Sequence, residues 1–297
     1  MDLPLVSFVL LTYNQELYVK QAVEGALKQD YPTLEIIISD DCSSDSTFEI
    51  IQSVVSTYSG KHKVTILRNS SNMGLVSHLN KLFANHVNGD YIILAAGDDI
   101  SLSSRTYDTV SYFKKYETSG LLFPIVKIDS NGKMVGNSYS DETRVFKLSN
   151  SYFKSYSFMI DGTALAIRKE VLSVFGLLAP TCPTEDSTLR FRCLLLKGIV
   201  YVGKPGIYYR IHSSSMSSFN NIFKLNVVNI AEQYEKDVSI AYKYGYINAA
   251  FLKKVLLKIA WYKSNRILAE KIYKKPNDIW ARIKIVALNM YYKMRMI

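Results

Sequence analysis

The chain has 297 residues, 48% of them apolar and 21% charged, which is enough to bury a core and excludes global disorder. Its length suits one large domain or two modest ones. The formal net charge of +10 is confined to the C-terminal end: residues 251–297 hold twelve Lys/Arg against Glu270 and Asp278, while the rest of the chain is balanced.

In chain order, residues 6–11 (VSFVLL) form a short, wholly apolar run that reads as a buried parallel strand. Residues 16–29 follow at helical spacing, with Leu17, Val19, Ala22, Val23, Ala26 and Leu27 on the inner face, and Pro32 ends the helix. Residues 34–39 (LEIIIS) read as a second strand. Residues 46–58 read as a second helix, with Ser43, Ser44 or Asp45 as its N-cap. A third strand (64–67), a third helix (75–86) and a fourth strand (91–95, YIILA) complete the pattern. Strand and helix alternate at the spacing of βαβ units. This predicts an α/β fold, a doubly wound, mostly parallel sheet with helices on both faces. Asn131-Gly132 reads as a turn, and residues 201–211 as strand interrupted by Pro205-Gly206. From about Phe219 the texture becomes helical, over 223–244, 247–273 and 278–297. The predicted division is a catalytic domain over 1–215 and a basic amphipathic helical region over 216–297.

Ligands of such sheets bind beyond the carboxyl ends of the strands. Thr12, Tyr13 and Asn14 follow the first strand, Asp40 and Asp41 the second, Asp98 and Asp99 the fourth. Two acidic pairs at matching strand ends repel unless a cation or hydrogen-bond donors neutralise them. A hard divalent ion would do so, and would also hold substrate phosphates. The blander reading of Asp40-Asp41 is a helix cap. The first turn, TYNQE, lacks glycine, so neither a dinucleotide fingerprint nor a P-loop is present.

The runs SFVLLTYNQE, IIISDDCSSDST, NMG and GDYIILAAGDD, in this order and spacing, resemble the inverting family 2 glycosyltransferases that build bacterial surface polysaccharide. The likeness is close over 3–99 and continues through Glu185-Asp186 and YRIHSSSMSS at 209–218. It implies a GT-A-like fold. It also implies transfer of a hexosyl or N-acetylhexosaminyl group from a nucleotide-diphosphate donor, a UDP-sugar on this resemblance. The implied acceptor is a glycan, lipid-linked, as in O-antigen or capsule assembly. Carried over by position, Thr12 and Tyr13 line the base pocket beside Asn14, and Asp41 with Asp40 contacts uracil or ribose. Asp98 and His212 hold Mn²⁺ or Mg²⁺ on the diphosphate, with Asp99 and Arg210 near the donor. The chain departs from the family's D-x-D motif, because Ala96 stands where the first Asp would be.

Glu185-Asp186 resembles the family's catalytic pair, with Asp186 as the general base. An acceptor hydroxyl must lose its proton as it attacks, and a carboxylate serves best when burial brings its pKa toward neutrality. The same pair also suits the cap of a helix beginning near Ser187, and both readings can hold together. Tyr209-Arg210-Ile211-His212 with Ser213 to Ser215 is a phosphate-contacting set. Asp161-Gly162 is placed beside the acceptor by the resemblance.

Along 278–297, Ile279, Ile283, Val286, Met290 and Met294 recur on one helical face, with Arg282, Lys284, Lys293 and Arg295 largely off it. In 247–273, Leu252, Val255, Leu256 and Ile259 are expected inside, with Lys253, Lys254, Lys258 and Lys263 around them. Trp261, Trp280, Tyr291 and Tyr292 add amphipathic aromatics. Such helices suit an anionic membrane surface; a helical subdomain packed on the body or a homo-oligomer interface is the alternative. No nucleic-acid motif accompanies the charge. Cys42, Cys182 and Cys193 show no disulfide or metal spacing. Residues 1–15 lack the marks of a signal peptide, and no apolar run reaches the ~18 residues that cross a bilayer. The expected location is cytoplasmic, peripheral on the inner membrane. Two other functions fit less well. A nucleotidyltransferase needs a glycine-rich basic loop after the first strand, and a non-catalytic nucleotide-sugar-binding protein has no need of Asp186.

Overall fold

The computed structural model describes residues 3–137, 141–148, 163–212, 225–275 and 278–296. Its first part is the alternation expected: β1 (Val6–Thr12), α1 (Val19–Leu27), β2 (Leu34–Asp40), α2 (Thr47–Ser56), β3 (Lys63–Arg68), α3 (Leu75–Asn85) and β4 (Tyr91–Ala96). These strands lie in the order β3-β2-β1-β4, all parallel. The order reverses beside β1, so β1 and β4 flank the switch point at which such sheets open a crevice. The register places Thr12 opposite Asp40 and Leu11 opposite Ala96. The strand ends carrying the candidate residues are therefore level with one another.

Beyond β4 come β5 (Ile100–Ser101), α4 (Arg105–Lys115), β6 (Gly120–Ile128), β7 (Met134–Asn137), β8 (Arg144–Phe146) and β9 (Thr163–Arg168). They are followed by α5 (Glu170–Phe175), α6 (Asp186–Leu195), β10 (Ile199–Tyr201) and β11 (Ile207–Arg210). The doubly wound sheet is present, but its parallel run ends at β4. There β9 enters antiparallel to both β4 and β6, and the whole is a mixed sheet. The long strand β6 serves two sheets. Its first half pairs with β9 and β10, and its second half with β11 and β7. β11 also pairs with β5, which directly follows the Asp98-Asp99 turn. That pairing carries Arg210 and His212 to residues more than a hundred positions earlier in the chain.

Side chains of β1 alternate between two cores, as the pleat requires. Val6, Phe8 and Leu10 pack with α1, α2 and α4, while Val9 packs with α3, α5 and α6 on the opposite face. The second core also takes in the C-terminal helices α7 (Val227–Lys243) and α8 (Ala249–Lys274) through Ile230, Tyr234, Val238, Val255 and Ile259. Each of these helices begins on an asparagine cap: Asn226 accepts from Val228 N and Asn229 N, and Asn248 from Phe251 N. A last helix, α9 (Ile279–Met296), packs back on α8.

Several expectations change. Leu17 is 78% exposed, not inside, because α1 begins only at Val19 and the residues before it belong to a loop laced to 43–47. Helix α7, in the C-terminal helical region, is joined to α6 by a buried ion pair and shares its core. Lys258 is fully buried rather than on a basic outer face, and burial pushes its ammonium down to about 8. In the same helix Leu256 faces out, while Trp261 is buried and donates to Asn289 Oδ1 at 2.9 Å across the α8–α9 contact.

Candidate active site

Two loops build the floor of the crevice. After β1 the chain turns through Asn14, whose φ of 51° is left-handed, and after β2 through Cys42, with φ 62°. The loops hold each other by side-chain-to-backbone bonds. Asn14 N donates to Ser43 Oγ (2.9 Å), Ser44 N to Asn14 Oδ1 (2.9 Å), and Gln15 N to Thr47 Oγ1 (2.7 Å). Thr12 is buried, and its hydroxyl donates to Asp40 Oδ1 at 3.1 Å. Asp40 is completely buried and also accepts from Ser43 N (2.8 Å) and the Ser43 hydroxyl, with Arg68 Nε 3.8 Å away. Asp41 accepts from Asn69 Nδ2 (2.8 Å), Met73 N (2.9 Å) and Gly74 N (2.9 Å), which ties the 69–74 loop over the end of β2. Thr12, Asp40 and Asp41 thus brace this floor with their side chains. Tyr13 is the exposed member of the group, at 46%.

The turn after β4 depends on close approach. Gly97 N donates to Leu11 O at 2.9 Å, and a Cβ at Gly97 would run into the Gln15 amide and Thr12 Cγ2. Asp98 then faces His212, with Oδ2 and Nε2 3.1 Å apart. The His212 ring lies against Tyr18, centroids 4.9 Å apart, and the Arg210 guanidinium sits 4.8 Å from the centroid of the Tyr18 ring. Arg210 is buried, donating Nε to Asp98 O (3.0 Å), Nη1 to Asp129 O and Ser130 O (both 3.1 Å), and Nη2 to Gln21 Oε1. Its backbone N–H donates to Asp99 Oδ1 at 2.9 Å. Arg210 therefore positions the acidic turn.

Burial, then the Asp98 charge, pushes the Asp99 carboxyl up to about 8, so it is mostly protonated at neutral pH. Behind it lies Arg105, which sequence reasoning did not single out. It is completely buried, donates to Ser101 Oγ (3.0 Å) and Leu94 O (2.9 Å), and burial holds its guanidinium down to about 10 against the pull of Asp99. Tyr18 and Gln21 were also missed, since neither stands in a recognisable motif. His78 and His62 are core residues, bonded to Ser39 Oγ (2.6 Å) and Gln29 O (2.8 Å).

Among the described residues no three His, Cys, Asp or Glu side chains form a metal-ligating cluster. The Asp98–His212 separation of 3.1 Å nonetheless matches adjacent ligands on a six-coordinate ion with bonds of about 2.1 Å. Such an ion fills the rest of its shell with water and substrate phosphates. The donor set therefore fits Mg²⁺ or Mn²⁺ held jointly with a diphosphate.

Glu185 and Asp186 stand at the start of α6, and Glu185 makes no side-chain capping bond there. Asp186 is the open member, its side chain 42% exposed, and Arg190 one turn on donates to its Oδ2 at 2.9 Å. That spacing is legible in the sequence. Burial, then the neighbouring Asp186 charge, pushes the Glu185 carboxyl up to about 7. The folded chain holds this proton more tightly than the unfolded chain. The stabilisation is complete below pH 4.5 and is lost as pH rises toward 7. Over this window urea unfolding should show a stability loss steeper than that of Glu185→Gln by up to about 1.4 kcal/mol per pH unit. Equal pH slopes for the two proteins would refute it. Asp161, Gly162 and the serines after His212 lie outside the described residues.

Comparison with known proteins bears on the same fold and residues. The model of a family described as "Glycosyl transferase family 2" matches residues 7–175. The "Putative glycosyltransferase EpsE" of Bacillus subtilis is 34% identical over 113 residues, 38% of this chain and 40% of that relative's length. The crystal structure of Staphylococcus aureus TarS 1-349 in complex with UDP-GlcNAc shares the fold, with a TM-score of 0.65 at 17% identity over 97% of this chain and 80% of that one. A mannosyltransferase, PcManGT from Pyrobaculum calidifontis in complex with GDP-Man and Mn2+, superposes with a TM-score of 0.56 at 14% identity, over all of this chain and 84% of that one. With more than half of its length matched by the family model, this chain belongs to glycosyl transferase family 2.

Proposed function

We propose that the chain is an inverting glycosyltransferase that moves a sugar from a nucleotide-diphosphate donor, a UDP-sugar, to a glycan acceptor that is lipid-linked, in surface polysaccharide assembly. The observation that carries the reading is the Asp98–His212 pair at the switch point of the sheet, backed by Tyr18, Arg210 and Arg105. The exposed ring of Tyr13 offers the nucleotide base a stacking face beside the loop that Asp41 ties down. Asp98 and His212 are the residues that would hold Mn²⁺ or Mg²⁺ beside the donor's diphosphate. A bound divalent ion supplies charge stabilisation to the departing nucleoside diphosphate. The raised Asp99 carboxyl limits the charge that the turn carries beside Asp98.

Asp186 is the acceptor's general base. Arg190 fixes its orientation, and its open side chain can reach an incoming hydroxyl. Glu185, neutral for part of the time near pH 7, limits the charge beside it. The TarS complex with UDP-GlcNAc supports the choice of a UDP-sugar. The alternatives fare worse. The first turn lacks the glycine-rich loop of a nucleotidyltransferase, and a pure binding protein has no use for the ordered Asp186–Arg190 pair.

Incubation with UDP-, GDP- and dTDP-sugars, with and without Mn²⁺, tests this. The expected result is metal-dependent release of nucleoside diphosphate from one donor, slowed by about two orders of magnitude in Asp98→Ala. Donor binding seen by calorimetry without turnover, even with glycan acceptors supplied, would favour the binding-protein reading.

A further inference from the structure

Helix α9 leaves its apolar face uncovered. Ala281 is buried and Ile285, Leu288 and Asn289 are partly buried, so this side packs on α8. The other side carries Ile279 (67% exposed), Trp280 (74%), Ile283 (52%), Val286 (57%) and Met290 (62%). At 3.6 residues per turn these positions form one continuous stripe along the helix. The same count places exposed Lys284 along one border of the stripe and exposed Arg282 along the other. Lys271, Lys274 and Lys275, all exposed, lie at the end of α8 just before Trp280. The charge of the whole chain is concentrated here, since residues 251–297 carry twelve Lys/Arg against two acidic residues.

We propose that α9 docks in the plane of an anionic lipid surface, its Ile279–Met290 stripe entering the headgroup boundary and its two basic borders facing lipid phosphates. An apolar stripe bordered by cations, with an exposed Trp at its start, is the arrangement that interfacial helices use. Charge complementarity selects this occupant. A second copy would bring the same cationic surface against itself, which is repulsive, and a nucleic acid would meet the cations but leave the apolar stripe in water. No described helix is long and apolar enough to cross a membrane, so the contact lies along the surface. The inference goes beyond the transferase reading and does not rest on it, because the surface is remote in the chain from every residue of the acidic site.

The test is co-sedimentation of the full chain with phosphatidylglycerol-containing vesicles and with phosphatidylcholine vesicles, with no donor or acceptor present. Expected is binding to the anionic vesicles alone, weakened by salt. The exposed double substitution Ile283→Ser with Met290→Ser should weaken it at least about tenfold. Lys284→Ala should weaken it by about fivefold. Circular dichroism of each variant checks that the fold is kept. A folded chain that stays in the supernatant with anionic vesicles, or binding that the double variant retains in full, overturns the proposal. A dimer in light scattering that the double variant splits would also overturn it and assign the face to a second copy. None of these outcomes bears on donor hydrolysis, so the two readings fail separately.

Discussion

Asp186→Asn should slow sugar transfer by about two to four orders of magnitude while leaving donor affinity nearly unchanged. The substitution keeps the shape of the side chain and an acceptor for Arg190, and removes only the basic carboxylate. Its neighbour is the informative control. Burial pushes the Glu185 carboxyl up to about 7, which on proton affinity alone would suit a base. Asp186 is the one with its side chain 42% exposed and held by Arg190, open to an arriving hydroxyl. Glu185→Gln is therefore expected to cost less than about tenfold in rate. Single-turnover transfer for both variants, with donor binding measured by calorimetry, decides the matter. A large loss in Glu185→Gln with near-normal Asp186→Asn would exchange the two roles.

The largest stability effect is expected at the α6–α7 contact. Arg192 and Asp237 are both fully buried and meet in a two-pronged pair, Nε to Oδ2 at 2.8 Å and Nη2 to Oδ1 at 3.0 Å. Gln233 donates to the same carboxylate at 2.9 Å, and Arg192 Nη1 donates to Gly176 O at 2.7 Å. Burial raises the Asp237 carboxyl above its usual range even with Arg192 beside it, so desolvation outweighs the attraction. Pairs of that kind hold a fold in register while contributing little net stability. Arg192→Met alone strands a buried carboxylate and should cost about 3–5 kcal/mol in urea unfolding. Adding Asp237→Leu should recover most of that loss. A double variant as unstable as the single one would show that packing around Arg192, and not the stranded charge, sets the cost.

Much of the fold could be read in advance because its signals are local. The apolar runs at β1, β2 and β4, each followed by a helical period, mark buried parallel strands and their crossovers. The stretch from Ile100 to Leu195 was scarcely legible. There β6 serves two sheets and β9 enters antiparallel between β4 and β6, arrangements set by pairing partners far apart in sequence. Among the site residues, Asp98 and His212 were named from motif context and do meet. The surroundings of Arg210 were not legible, because its type announces a positive charge but not that four main-chain and side-chain acceptors and the Tyr18 ring surround it. Tyr18 and Arg105 stand in no pattern and take their positions from packing.

By itself the amino-acid sequence determined the strand-and-helix alternation, the family, the carboxylates at the strand ends and the basic C-terminal segment, since each is written in short-range periodicity and residue type. Only the tertiary structure decided how the acidic pairs are reconciled. Sequence reasoning expected a cation or hydrogen-bond donors to relieve their repulsion. The fold satisfies Asp40 and Asp41 with N–H and O–H donors, and raises Asp99 and Glu185 by burial. Asp98 is left to face His212, and Asp186 to face solvent. It also decided that α7 and most of α8 join the core while α9 keeps its apolar face outside. The reason is the same in both cases. The free energy of a charge or an apolar side chain depends on what surrounds it, and those surroundings come from residues distant in the chain.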